Sequence, residues 1–289
     1  MAQTEQKNQN VKKQFEELQS LLERAMALQT SMVLFEWDDE TLAPKGAAEH
    51  TARVIGSLSE QYQEILASMR FKELLDVCLK AEKENAGVFD KVQSAILRAA
   101  AEEQERLSCI PPEEYRAYAE LTACATGIWT RAREKNDFAS FAPVLKEIIS
   151  YQKKFAAYRA KPGQKLYDVM LDTYEKGFNM EMLDPFFELM KGKIVPLLKE
   201  SAERSKMVPD AFLSADYPEA AQAEAARFLA EYEGFDFDRG VLALSAHPFT
   251  TNLHNHDVRI TTHYQKRSDS SIFSVLHETG HAIYEFGIR

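Results

Sequence analysis

The stretch that most constrains the fold lies near the end of the chain: Ser274-Val275-Leu276-His277-Glu278-Thr279-Gly280-His281-Ala282-Ile283-Tyr284. It holds His277-Glu278-x-x-His281, flanked by apolar residues and free of proline. Residues four apart on an α-helix share one face and stand about 6 Å apart along the axis, because each residue rises about 1.5 Å. Two neutral imidazoles at that spacing can hold one zinc ion between them. Glu278 then stands beside the ion, placed to take a proton from a bound water, which is the chemistry of a metallopeptidase. Glycine at position 280 costs about 1 kcal/mol of helix propensity relative to alanine, and its small size leaves room for another segment to approach. An amphipathic helix with two surface histidines is the plain alternative, so the motif needs support from the rest of the chain.

With 289 residues, 45% hydrophobic and 28% charged, the chain can build a sizeable core. A single domain is expected over 1–289, with the Gln- and Asn-rich residues 1–10 frayed. A net charge of −10 without a basic stripe speaks against a nucleic-acid partner. Cys78, Cys109 and Cys124 are scattered and form no CxxC pair, which fits a reducing cytoplasm. The first residues carry no apolar leader, and no run of 18 apolar residues occurs, so neither export nor a membrane span is expected.

Along the chain, apolar residues recur at helical spacing from Val11 to about Leu34, then in helices expected at 47–69, 72–85, 89–107, 110–135, 141–159, 182–206 and 219–232. Lys161-Pro162-Gly163 is the clearest linker. After Gly234 the pattern changes. Val241–Ala246 suggests a short strand, and His247-Pro248-Phe249-Thr250-Thr251-Asn252 a turn. In His256–Tyr264, Val258, Ile260 and Thr262 alternate with Asp257, Arg259 and Thr261, the mark of a half-buried strand. The fold class is therefore mainly α, with a small antiparallel ribbon beside the HExxH helix whose edge offers main-chain hydrogen bonds to an extended peptide.

Three stretches together, His247-Pro248-Phe249, Asp257-Val258-Arg259-Ile260-Thr261 and His277-Glu278-Thr279-Gly280-His281, resemble the thermostable carboxypeptidase family of zinc metallocarboxypeptidases. Similarity extends upstream to Glu36-Trp37-Asp38, Trp129-x-x-Ala132-Arg133, Asn136-Asp137-Phe138 and Tyr167-Asp168-x-x-Leu171-Asp172-x-Tyr174-Glu175. The resemblance implies a deep groove, a divalent metal (zinc, or cobalt or manganese in its place), removal of carboxy-terminal amino acids from peptides, and a homodimer. It implies His277 and His281 as metal ligands, Glu278 as general base, and His247, Arg259 and Thr261 at the peptide site. Members of that family are much longer, and their third ligand is a glutamate on a later helix. Glu285, four residues beyond His281, stands about 9 Å along the axis from an ion held by the pair, too far to serve. The chain is thus expected to be an amino-terminal portion that is weakly active or inactive alone. Two competing readings stay open, a non-catalytic helical interaction module and a related zinc endopeptidase.

Overall fold

The computed structural model describes residues 2–85, 87–207 and 209–288, and among them ten α-helices and three short strands. In chain order the helices are α1 (Ala2–Thr41), α2 (Ala48–Ala67), α3 (Met69–Glu84), α4 (Lys91–Ser108), α5 (Pro112–Glu134), α6 (Phe138–Arg159), α7 (Leu166–Tyr174), α8 (Met180–Ser205), α9 (Glu219–Glu233) and α10 (Ser268–Phe286). The strands β1 (Gly240–Leu244), β2 (Thr250–His254) and β3 (Asp257–Thr262) lie between α9 and α10. The chain divides into two compact units, Met1–Asp39 with Ala43–Pro162, and Glu40–Leu42 with Gly163–Arg289. Their division at Pro162–Gly163 coincides with the linker legible in the sequence, and each unit has its own apolar cluster.

In the first unit, Leu18, Leu66, Phe71, Leu74, Leu97 and Leu107 are buried almost completely. Polar residues start several of its helices: Ser68 accepts from the Phe71 amide, and Asp90 with Gln93 closes a capping box on α4. The first helix begins at Ala2, upstream of the Val11 start that apolar spacing suggests. Its Gln-, Lys- and Glu-rich opening favours helix, and Lys7 Nζ donates to Glu84 of α3 at 2.9 Å. It also runs through Glu36-Trp37-Asp38, where Trp37 is buried.

In the second unit, the expected antiparallel ribbon is a three-stranded mixed sheet in the order β1-β3-β2. Thr250, Thr251 and Asn252, read from sequence as part of a turn, form most of β2 and pair antiparallel with β3. β1 pairs parallel with β3. The reason lies in the connection after β1. The Ser245 amide continues the β1 ladder by donating to Thr262 O, while Ser245 Oγ donates to His247 O at 2.7 Å. The chain therefore turns away from β1, and β3 takes the place between them.

Two glycines shape the approach to this sheet. Gly234 ends α9 at φ 104°, a conformation that side chains resist. A Cβ on Gly240 would stand 2.4 Å from the Phe235 ring and 2.8 Å from Val258 O. Gly240→Ala is expected to destabilise the fold by about 1–3 kcal/mol through overpacking. A fall in the denaturant midpoint at unchanged slope would register it. By contrast, α8 has no buried residue, and Phe186, Phe187, Leu197 and Leu198 all stand at least half exposed.

Candidate metal centre

The site forms on α10, which presents two different faces. Ser271, Val275, Glu278, Thr279 and Ala282 form a buried stripe. Facing them are Ala226 and Ala230 of α9 and Val258 and Ile260 of β3; the small alanines permit close packing of the helices. The first turn of α10 is fastened by Gln222 of α9, whose Oε1 accepts from Ser271 Oγ at 3.2 Å. The same side chain donates to the carbonyls of Tyr217 and Gln265. One turn on, Thr262 and Ser274 hydroxyls meet at 2.8 Å. These anchors fix the rotation of the helix about its own axis.

That rotation leaves His277 and His281 on the exposed side and Glu278 at the border of the core, only 7% exposed. The two imidazoles meet edge to face with Nε2 atoms 3.1 Å apart. Two nitrogens at roughly 2.0–2.1 Å from one tetrahedral ion would be about 3.3 Å apart. The pair therefore suits a shared divalent metal with little adjustment. Among the described residues, no His, Cys, Asp or Glu joins them in a cluster of three. Glu285 accepts a hydrogen bond from Asn252 Nδ2 of β2, so its carboxylate is committed to the strand.

Glu278 is held from the same strand. Thr250 Oγ1 lies 2.5 Å from Glu278 Oε2 and 3.2 Å from Glu278 O. A hydroxyl has one proton to give, and the short contact assigns it to the carboxylate. Oε1 is left without a hydrogen-bond partner among the described residues and is not sealed from solvent. Thr250 and Asn252 alternate onto one face of β2, and they engage α10 at Glu278 and Glu285, two helical turns apart. Sequence reading missed both strand residues. Their only signal was a pair of polar side chains spaced two apart next to the His247-Pro248-Phe249 stretch.

The other sequence-predicted residues lie elsewhere on the sheet. Val258, Ile260 and Thr262 face α10, which places Arg259 and Thr261 on the opposite side of β3. Arg259 makes a two-pronged ion pair with Asp257 at 2.8 and 2.9 Å, and that pairing strengthens its hold on its proton. Thr261 is fully buried; its Oγ1 accepts from the Phe249 amide at 2.9 Å and meets the Ser245 hydroxyl at 2.7 Å. His247 is exposed in the turn between β1 and β2. His263 Nδ1 lies 3.0 Å from Ser245 O.

The family model for carboxypeptidase Taq (M32) metallopeptidase matches residues 17–289. The chain is 35% identical over 272 residues to carboxypeptidase 1 of Bacillus subtilis (strain 168), covering 93% of this chain and 53% of that protein. It is 32% identical over 265 residues to thermostable carboxypeptidase 1 of Pyrococcus furiosus, covering 91% and 52%. The crystal structure of BsuCP superposes with a TM-score of 0.90 at 34% identity, over 96% of this chain and 55% of that one. The chain therefore spans about half the length of the curated relatives it matches.

Proposed function

The chain belongs to the carboxypeptidase Taq (M32) metallopeptidase family, and from that premise we propose that it contributes the HExxH half of a site that releases carboxy-terminal amino acids from peptides. The observation that carries the reading is the convergence of His277 and His281 Nε2, 3.1 Å apart, on the helix that also carries Glu278, 7% exposed. His277 and His281 hold the metal, which we take to be zinc, with cobalt or manganese able to replace it. Once bound, such an ion supplies Lewis acidity toward the scissile carbonyl and makes water a stronger acid.

Glu278 is the general base. It accepts the proton of the attacking water at the unpartnered Oε1 and passes it on to the departing amine nitrogen. His247, exposed in its turn, meets the peptide directly. Arg259 and Thr261 act at the peptide site by holding its wall: one clamps Asp257 and the other fixes the backbone of Phe249. The third metal ligand comes from outside the described residues, as the family resemblance implies, through a glutamate on a later helix. We further propose a cytoplasmic setting and a homodimer. The described helices include none long and apolar enough to cross a membrane.

The test compares an amino-blocked peptide with its carboxy-terminal amide, using the complete metal-loaded protein. Release of the terminal amino acid from the free acid, with the amide far slower, is the expected result. Equal rates on acid and amide, or internal cuts, would replace this reading with that of an endopeptidase.

A further inference from the structure

We infer that Thr250 is a positioning residue for Glu278, a role that rests on the reading of Glu278 as the base. A glutamate side chain has three torsions to settle, and a base that wanders is a poor one. Here one carboxylate oxygen is pinned by the Thr250 hydroxyl at 2.5 Å, and the other is left for the proton. The pin is rigid at its own base. Thr250 stands on β2, paired with fully buried Ile260, and as a β-branched residue it has restricted rotation. Asn252, on the same strand face, reaches Glu285, so the strand cannot slide along α10 without breaking both contacts. The Thr250 hydroxyl bonds to Glu278 and to neither imidazole among the described residues, so its effect is expected on the base and not on the metal ligands.

The experiment uses Thr250→Val, which keeps the shape and removes the donor, and Thr250→Ser, which keeps the donor. In the complete metal-loaded protein, valine is expected to lower kcat about 10- to 100-fold with KM little changed, the signature of a misplaced catalytic group. Serine should restore kcat to within about threefold, because the O–H donor is back. Metal affinity, measured by chelator competition, should stay within about threefold for both, whereas loss of a group that orients a ligand costs about 10–100-fold. If valine upsets packing, Thr250→Ala set against Thr250→Ser gives the same comparison. Wild-type-like kcat for the valine variant, equal impairment of valine and serine, or a fall in metal affinity parallel to kcat would each overturn the assignment. Glu278→Gln run alongside separates the two levels: its full activity removes the base itself, whereas its inactivity with an active Thr250→Val removes only the positioning role.

Discussion

Glu278→Gln in the complete metal-loaded protein is expected to lower turnover by about 10²–10⁴-fold, the range typical of general acid–base catalysis, with the metal still bound. The carboxylate is no ligand in the proposed arrangement; His277 and His281 alone on α10 converge. Glutamine matches glutamate in shape, which matters at a residue 7% exposed, and its amide oxygen can still accept from Thr250. The fold and the metal site should therefore survive while the proton acceptor is lost. Steady-state kinetics with metal content measured on the same sample checks both halves. Hydrolysis at the native rate would remove Glu278 from the mechanism, and loss of metal would recast it as a ligand.

Titrated with zinc in a calorimeter, the 289-residue chain is expected to bind weakly and to show little or no peptidase activity. A catalytic zinc site takes three protein ligands and a water, and no cluster of three donors exists among the described residues. His281→Ala, which leaves a single imidazole, should reduce even that binding by more than the roughly 10–100-fold lost with an outer partner. Circular dichroism would confirm that the helix persists, since alanine is the best helix former. Tight one-to-one binding with robust turnover would reveal a third donor in the chain or in a second copy of it.

The parts of this fold that bury apolar side chains were legible in the sequence. The α10 pattern and the alternation of Val258, Ile260 and Thr262 both point at a core, and both are found where periodicity put them. The strand β2 was not legible, and the cause is chemical. Thr250 and Asn252 turn toward two glutamates of α10, so a polar face meets a polar face and no apolar period records the contact. The parallel pairing of β1 with β3 was hidden for a different reason: neighbouring strands in sequence suggest hairpins, while here β3 lies between β1 and β2. The HExxH residues could be found by spacing alone. The strand residue hydrogen-bonded to Glu278 could not, because nothing local to Glu278 names its partner 28 positions away.

The two-point attachment of β2 to α10 also sets what this segment can undergo through mutation. Side chains on successive strand residues point to opposite faces, so gaining or losing one residue between Thr250 and Asn252 sends one of the pair to the wrong side. Thr250 pairs with Ile260 and Asn252 with Val258; no frame displaced by one keeps both within reach of Glu278 and Glu285. A change of letter at Thr251, whose side chain lies on the other face, leaves that spacing intact. The strand should therefore drift freely in composition at its outward positions while its length stays fixed, with single-residue insertions and deletions purged across homologous chains.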